Sequence, residues 1–393
     1  MTLSFSEARA CVLQNIKPSM STEEVAVLDS CGRILAETIH ADRDYPPFPR
    51  AARDGFAVKA ENLPGELRVI GEVRAGEMYP DMLVAGEAVE IMTGAPLPEG
   101  ADAVVMVEHT VRHGTHVRTD RTQQPGDNFT PTGSEAARGA AILSPGQRIG
   151  FSEVSALAMV GRERVQVYRK PHVAILPTGD ELVEVQTEPE TFQIRNSNAW
   201  SLFVQVRRAG GEPEILPIAR DNYESTRSTI EKGLQADLLL LSGGVSAGKY
   251  DIVERVVSDL GAEFFFDRVR IQPGQPLVFG EINGTPFFGL PGNPASTMVT
   301  FEIFARAGLE RMAGAQTTPL PFLRAKLTKE FRHKTGLTRF LPALLSNDGS
   351  TVSPVAWKGS GDIPSMTRAN AFLVADEHRE VWAPGDDIRV LLK

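Results

Sequence analysis

The chain has 393 residues, 42% hydrophobic and 23% charged, a balance that predicts a globular protein with more than one domain. Its formal net charge of −9 argues against a broad surface for nucleic acid or for an anionic membrane. The two cysteines, Cys11 and Cys31, are too few for a disulfide framework or a cysteine metal site. Because the N-terminus lacks a signal-peptide pattern and no apolar run is long enough to span a bilayer, we expect a soluble, cytoplasmic protein.

Short elements separated by turns are predicted for the first 170 residues. Ser4 and Glu7 have capping-box spacing at the start of a predicted helix, "SFSEARACVLQNI", and a second helix is predicted at "GFSEVSALAMVG". Between them, strand-like runs are cut by glycine and proline, which is typical of a small β domain. We therefore predict a discontinuous helical and linker domain formed by residues 1–50 and 136–170, and a small β domain formed by residues 51–135.

Residues 171–316 are predicted to form a mostly parallel sheet covered by helices, because strand-like and helix-like segments alternate and most of the strands are apolar on both faces. The strands are expected at "HVAILPTG", "PEILPIAR", "DLLLLSGG", "FFFDRVRI" and "PFFGLPG". The helices are expected at "NSNAWSLFVQVRRAGG", "NYESTRSTIEKGLQ", "DIVERVVSDLG" and "PASTMVTFEIFARAGLERM". Residues 317–393 return to short strands and turns. The predicted fold class is a multidomain chain whose central, mostly parallel α/β domain is flanked by small β-rich domains.

Four loops of the predicted sheet follow strands at their carboxyl ends, where open α/β sheets bind ligands. They are "LPTGDEL", "IARDNY", "SGGVSAGKYD" and "LPGNPAS". The acidic residues among them, such as Asp180 and Asp221, suit Mg²⁺, which takes oxygen ligands and shares them with substrate phosphates. Simpler interpretations stay open: Asp180 and Asp221 could be helix N-caps, and Gly243 with Gly244 could form only a tight turn.

The third loop has the spacing G-x-x-x-x-G-K of the phosphate-binding loop of nucleoside triphosphatases. That motif would continue with serine or threonine and would follow the first strand, whereas Tyr250 stands there and the loop follows the third strand. These two mismatches disfavour a generic ATPase. A backbone-lined anion site with hydroxyls from Ser242 and Ser246 fits better, with Asp251 contributing to a metal or a water.

Six stretches together resemble the molybdopterin molybdenumtransferase family, to which the gephyrin E domain also belongs. They are "RDGFAV", "IMTGAPLPEGADAVVMVE", "LPTGDEL", "LSGGVSAGKYD", "FFGLPGNPAS" and "GSGDIPSMTRAN". The resemblance covers nearly the whole chain and implies an elongated homodimer of four-domain subunits, in which one α/β domain binds molybdopterin. It implies a Mg²⁺-dependent insertion of molybdate into adenylylated molybdopterin with release of AMP, and transient contact with other cofactor-biosynthesis proteins.

The resemblance also implies roles for individual residues. The implied catalytic residues are Asp54, Glu181, Asp221 and Asp251, and the metal ligands are Asp221 and Asp251. The implied substrate-binding residues are Thr93, Glu108, Thr178, Gly179, Asp180, Ser242, Gly243, Gly244, Ser246, Gln272, Gln275, Pro291, Asn293, Pro294, Ser296, Arg339 and Ser360. Within these sets, Asp54, Thr93 and Glu108 would close the cleft from the partner subunit.

The chain departs from the family pattern where cations are usual. The family's K-P-G-K-P is replaced by "QPGQP", with Gln272 and Gln275 in the lysine positions, and Pro342 stands where an arginine is usual. Glutamine donates only neutral hydrogen bonds, roughly half as strong as charge-assisted ones. Arg268, Arg270 and Arg339 are candidates to supply the missing charge. These changes motivate an alternative function, a molybdopterin or cofactor carrier that has lost efficient insertion.

Overall fold

The computed structural model describes residues 2–19, 21–244 and 252–393. The chain divides into two compact units. The larger unit contains residues 1–36, 146–150 and 164–393, and the smaller unit contains residues 37–145 and 151–163. Among the described residues, no helix is long and apolar enough to cross a membrane.

A six-stranded mixed sheet forms the first core of the larger unit. Its strand order is Glu212–Ile215, His172–Pro177, Leu238–Ser242, Thr285–Leu290, Val278–Ile282 and Glu263–Phe266. The first four strands are parallel, and the last two are each antiparallel to their neighbour. The predicted combination of a central α/β sheet with β-rich parts is therefore present.

Alternate residues of the central strands face two separate cores. Leu238 and Leu240 pack into one core with Leu202, whereas Leu239 and Leu241 pack into the other with Val256. This double burial requires helices on both faces of the sheet. The helices are Ser197–Arg208, Tyr223–Gly233, Ile252–Asp259, and Pro294–Thr300, which continues through the π-helical segment Phe301–Ala305 into Arg306–Met312.

The predicted N-terminal helix is Phe5–Asn15, and its capping box is confirmed. The Ser4 hydroxyl accepts from the Glu7 N–H at 3.3 Å, and the Glu7 carboxylate accepts from the Ser4 N–H at 2.8 Å. The helix packs against Arg306–Met312, where Gly308 allows the close approach: a Cβ there would lie 2.4 Å from Ile16 Cδ1.

A second six-stranded sheet of the larger unit is formed mainly by C-terminal residues. Its order is Ile271–Gln272, Thr338–Leu345, Thr351–Pro354, Phe322–Leu327, Asp387–Leu392 and Ala371–Ala375. Thr338–Leu345 also pairs with Ala371–Ala375, the last strand of the sheet. All of these strands except Ile271–Gln272 therefore form a closed ring. The short helix Ile363–Arg368 begins after Asp362, whose carboxylate accepts from the Ser365 N–H at 3.1 Å.

The smaller unit is built on another six-stranded sheet. Its order is Ala103–Met106, Gly55–Val58, Glu87–Ile91, Gly65–Val73, His116–Thr119 and Val111–His113. Buried aliphatic side chains form one core on each face. The predicted second helix is also confirmed and spans Phe151–Met159.

Short strand pairs and 3₁₀ turns complete the described chain. The pairs are Thr2–Leu3 with Arg268–Val269, Thr22–Ala26 with Arg164–Tyr168, Ile39–His40 with Ala141–Leu143, Arg50–Ala51 with Phe129–Thr130, Leu182–Val183 with Ile194–Arg195, and Phe331–Arg332 with Val381–Trp382. The turns are Val27–Asp29, Ala60–Asn62 and Val107–His109.

Candidate functional site

Four loops meet at the carboxyl edge of the parallel strands in the larger unit. Backbone N–H groups donate from loop to loop: Thr178 to the Ser242 carbonyl at 3.1 Å, Gly179 to the Ala219 carbonyl at 3.1 Å, and Gly243 to the Leu290 carbonyl at 3.2 Å. Parallel strands bring their carboxyl ends to one edge, which explains the meeting. Ser246 and Asp251, which belong to the third loop, lie outside the described residues.

The loops enclose a cavity of about 290 Å³. The predicted residues that line it are Thr178, Gly179, Glu181, Asp221, Gly243, Gly244, Pro291 and Asn293. A smaller pocket that shares Thr178 and Gly243 is also lined by Ser242 and Pro294. Ser296 is buried in the first turn of the following helix. The geometry therefore brings together a large part of the predicted pterin and phosphate set.

A glycine turn and a buried hydroxyl shape one wall of this cavity. Gly243 and Gly244 have φ values of +100° and +61°, which favour glycine. A Cβ at Gly244 would lie 2.8 Å from Thr178 Oγ1, so the turn sits directly on that hydroxyl. Thr178 Oγ1 is buried and has no hydrogen-bond partner among the described residues. A glycine turn with an unpaired hydroxyl beneath it suits an anionic ligand such as phosphate.

Asp180 and Asp221 hold each other through their backbones. The Asp221 N–H donates to Asp180 Oδ1 at 3.1 Å, and the Asp180 N–H donates to Asp221 Oδ2 at 3.3 Å. The N-cap interpretation is wrong for both: Asn222 caps the helix Tyr223–Gly233, and Asp180 precedes the short strand Leu182–Val183. Each carboxylate keeps one oxygen with no hydrogen-bond partner within the described ranges.

These free oxygens fit Mg²⁺, a hard cation that binds through one or two carboxylates together with waters and substrate phosphates. Residues 2–19, 21–244 and 252–393 contain no group of three or more His, Cys, Asp or Glu placed to hold a metal. The described residues therefore offer a partial oxygen site that a phosphate-bearing substrate would have to complete.

Glu181 lies over the first loop, where Gly179 has a φ of +142°. A Cβ at Gly179 would lie 2.5 Å from Glu181 Oε2, so a larger residue there would displace this carboxylate from its position. Arg220 holds the same loop by donating to the carbonyls of Asp180 and Leu182, each at 3.2 Å. Arg220, which follows the strand Glu212–Ile215, therefore fixes the first loop, while the Glu181 carboxylate remains at the cavity.

Ser360 is joined to the fourth loop. Its carbonyl accepts from the Ala295 N–H at 2.9 Å, at the start of the helix Pro294–Thr300. Ser360 also lines an open hollow with Lys358 and Asp362. Hydrogen bonds from Ser365, followed by the Lys358 N–H, lower the pKa of Asp362. The segment before the helix Ile363–Arg368 thereby brings Ser360 beside the fourth loop, with the Asp362 carboxylate in the same hollow.

Gln272 and Gln275 lie in a turn that reaches the cavity through Pro276, which lines it. Gly274 in this turn has a φ of +101°, and a Cβ there would lie 2.3 Å from Thr300 Cγ2, so the turn packs tightly on the neighbouring helix. Gln272 is the register partner of Arg339 in a parallel strand pair, which places the two side chains on one face.

The three candidate arginines differ in their surroundings. Arg270 Nε is 3.9 Å from the Glu377 carboxylate, and Arg268 is the register partner of Thr2. Arg339 Nε is buried with no hydrogen-bond partner in the described part of the chain, and burial lowers the pKa of this residue. Arg339 is therefore the best placed of the three to meet an added anion beside Gln272.

Three predicted residues of the smaller unit lie together at one edge of its sheet. Asp54 Oδ1 accepts from the Thr93 N–H at 2.6 Å and from the Thr93 hydroxyl at 2.7 Å. These bonds lower the pKa of Asp54. The Asp54 carbonyl accepts from the Val107 N–H at 3.0 Å, directly before Glu108. All three predicted side chains are exposed.

Two asparagines at the site were missed by the sequence interpretation. Asn196 is 3% exposed and caps the helix Ser197–Arg208 by accepting from the Ala199 N–H at 3.3 Å. Asn198 donates to the Gly292 carbonyl at 2.8 Å, and its Oδ1 is buried without a partner among the described residues. Both line the smaller pocket. The available signal was an asparagine immediately before a helical pattern, a frequent N-cap.

Three family models match the chain in succession. The MoeA N-terminal region (domain I and II) matches residues 3–161, a probable molybdopterin binding domain matches residues 174–311, and the MoeA C-terminal region (domain IV) matches residues 324–393. Together these models cover both described units.

Full-length relatives agree with the models. A molybdopterin molybdenumtransferase of Bacillus subtilis is 36% identical over 386 residues, covering 94% of this chain and 90% of that protein. A Staphylococcus epidermidis protein of the same name is 32% identical over 374 residues, covering 93% of this chain and 89% of that protein. A solved molybdopterin biosynthesis moeA protein from Pyrococcus horikoshii is 30% identical, with a TM-score of 0.83 over 100% of both chains.

Proposed function

Since this chain belongs to the molybdopterin molybdenumtransferase family, whose members act in molybdenum cofactor biosynthesis, we propose that it inserts molybdate into adenylylated molybdopterin with Mg²⁺-dependent release of AMP. The observation that carries the proposal is the cavity lined by both the Gly243–Gly244 turn and Asp221, whose carboxylate accepts from the backbone N–H of Asp180. A phosphoric anhydride needs both an anion-binding turn and oxygen ligands for a metal.

The residues divide the work as follows. The glycine turn and Thr178 Oγ1 hold a phosphate of the substrate, and Asp221 with Asp180 holds the metal. Mg²⁺, when bound, neutralises charge that develops on the anhydride oxygens. Glu181 orients a water and accepts its proton, because its carboxylate lines the cavity beside the turn. In this proposal Asp251 completes the metal site and Ser246 the phosphate site.

We assign the molybdate half of the reaction to the turn that contains Gln272 and Gln275, together with Arg339 and Ser360 from the C-terminal part of the chain. Gln272, Gln275 and Ser360 provide neutral donors, and Arg339 provides the charge that glutamine lacks. A carrier that binds molybdopterin without efficient insertion is the second candidate, and the neutral side chains at positions 272 and 275 favour it.

The test is AMP release by the purified chain given adenylylated molybdopterin and Mg²⁺, with and without molybdate. We expect release that requires Mg²⁺ and rises with molybdate, because insertion and anhydride cleavage are coupled in the proposed reaction. Tight binding of the substrate with no molybdate response would support the carrier instead. A chain that neither binds the substrate nor releases AMP would contradict both.

Asp221→Asn tests the assignment of Asp221 as a metal ligand. The side chain is exposed, so the fold should persist, whereas Mg²⁺-dependent AMP release should fall by about 100-fold or more on loss of a metal-ligating carboxylate. Glu188→Gln removes an exposed carboxylate of the same unit that does not line the cavity and should leave release unchanged. Equal rates in the two variants would show that Asp221 holds no catalytic metal.

A further inference from the structure

A separate cavity of about 300 Å³ lies among helices of the larger unit. Its lining residues come from the helix Ser197–Arg208, from the helix that begins at Pro294, from Ile363–Arg368 and from the C-terminal sheet. Among the described residues, none lines both this cavity and the loop cavity. The volume is at the lower end of the range of roughly 300–1,000 Å³ for ligand cavities, so it suits a small molecule.

The surface of this cavity is mostly apolar. Met366 and Phe372 are each 2% exposed and form its inner wall. Met298 and Ile363 are half-buried beside them. Val204 also lines the cavity and is 56% exposed, which places it at the opening. Because methionine side chains adapt to irregular shapes, an aliphatic chain inserted here would bury apolar surface against several walls.

Two cations line the same cavity, Arg208 and Lys393. The Lys393 ammonium donates to the Met366 carbonyl at 2.5 Å and to the Ala369 carbonyl at 3.4 Å, which leaves its third N–H for a ligand. Neither cation forms an ion pair with a carboxylate of the described residues. Burial, followed by the charge of Arg208, lowers the pKa of Lys393, so the two like charges disfavour each other.

Glu302, the acidic residue that lines the cavity, is already paired. Its Oε1 accepts from Gln205 Nε2 at 2.9 Å, and its Oε2 lies 3.1 Å from Arg306 Nη1. This carboxylate therefore does not offset the charges of Arg208 and Lys393. The whole chain has a formal net charge of −9, so the positive charge at this cavity is a local feature, and it favours an anionic ligand.

We propose that this cavity binds an aliphatic carboxylate, with the chain against the methionines and Phe372 and the carboxylate between Arg208 and Lys393. A guanidinium matches the two oxygens of a carboxylate, and its hydrogen bonds to them are charge-assisted. The bound carboxylate also offsets the repulsion between the two cations. The site does not depend on the proposed reaction, because the two cavities have separate linings.

The test is calorimetric titration of the full chain with hexanoate, octanoate and octan-1-ol. Each added methylene between hexanoate and octanoate should lower the Kd about fourfold, the effect of burying one methylene. Octan-1-ol keeps the chain but lacks the charge, and it should bind about tenfold more weakly than octanoate. The inference is wrong if octanoate shows no saturable binding, or if it binds no better than hexanoate or octan-1-ol.

Arg208→Gln should raise the Kd of octanoate about tenfold and leave that of octan-1-ol unchanged, which also shows that the cavity persists in the variant. Arg207→Gln is the matched control, because Arg207 is exposed on the same helical turn, lies over the Phe203 ring at 5.9 Å and does not line the cavity. Equal Kd values for octanoate in these two variants would overturn the assignment of the carboxylate to Arg208.

Val204→Glu tests the same assignment from the opening of the cavity. The new carboxylate stands four residues before Arg208 on one helix, where it pairs with that cation and supports the helix. Octanoate should then bind at least about tenfold more weakly, because its partner is occupied and its charge is repelled. Unchanged binding of octanoate in Val204→Glu would contradict the proposed site.

Discussion

Arg339 is a partly buried cation for which the described residues provide no anionic partner. Its Nε is buried and has no hydrogen-bond partner in the part of the chain that the structure describes. Burying charge without a partner costs free energy, and here burial lowers the pKa of the guanidinium. Its charge also lowers the pKa of His333, after the larger effect of that residue's own burial. An oxyanion bound beside Gln272 would relieve this unfavourable arrangement.

At this scale we predict that Arg339→Gln raises the molybdate concentration needed for half-maximal AMP release by about tenfold or more, because a hydrogen bond to a charged group contributes about 1.5–3 kcal/mol. Arg270→Gln is the control, since Arg270 lies beside the Glu377 carboxylate at 3.9 Å. Lysine at positions 272 and 275 should lower the same concentration by adding charged donors. Equal half-saturating concentrations in the two arginine variants would place the oxyanion elsewhere.

Helices and parallel strands of the larger unit could be predicted from sequence because their patterns are local. Capping at Ser4 and the four leucines before Ser242 each define an element without reference to the rest of the chain. The strand Val278–Ile282 was missed, although Asn283 and Gly284 both have positive φ in the turn that joins it to Thr285–Leu290. An Asn-Gly pair between apolar runs is a hairpin signal that could have revealed it.

The candidate site could be predicted in part for the same reason. Carboxyl ends of parallel strands meet at one edge, so the meeting of four loops follows from the order of the elements. The reciprocal bonds of Asp180 with Asp221 do not follow from it. They depend on loop conformation, which only tertiary packing decides.

Close strand contact at Gly55 gives a prediction at the scale of the element. A Cβ on this residue would lie 1.8 Å from the Val105 carbonyl oxygen, so Gly55→Ala must force the strands Gly55–Val58 and Ala103–Met106 apart. We expect a loss of more than about 2 kcal/mol in the free energy of unfolding of the smaller unit. Denaturant titration should show that unit unfolding first, with a separate transition for the larger unit.

The control is Gly361→Ala, where an added Cβ meets nothing within 4 Å and no positive φ is required. Its unfolding midpoint should stay close to that of the unaltered chain. An unchanged midpoint in Gly55→Ala as well would mean that the two strands can separate without cost.

The whole molecule has two units with their own cores, and its predicted association into a homodimer belongs to this scale. We propose that Asp54, Thr93 and Glu108 of one subunit complete the site of the other in a cytoplasmic homodimer. Sedimentation should then give twice the 42.7 kDa mass of one chain. Mixing Asp54→Asn with Asp221→Asn chains should restore part of the AMP release, because one of the two sites in a mixed dimer would be intact.

A monomer at all concentrations, or no recovery in the mixture although exchange of subunits is demonstrated, would contradict this arrangement. Asp54→Asn mixed with the exposed-carboxylate variant Glu188→Gln serves as the comparison, since the latter chain carries an intact set of site residues.

The mutual backbone bonds of Asp180 and Asp221 have an evolutionary consequence. Substituting either residue leaves an amide of the opposite loop without its acceptor, so the damage appears partly at the position that did not change. The other bond survives such a change, because its donor is a backbone N–H that every residue except proline keeps. After one substitution the two loops should therefore stay joined by the remaining aspartate, so each aspartate is under selection of its own.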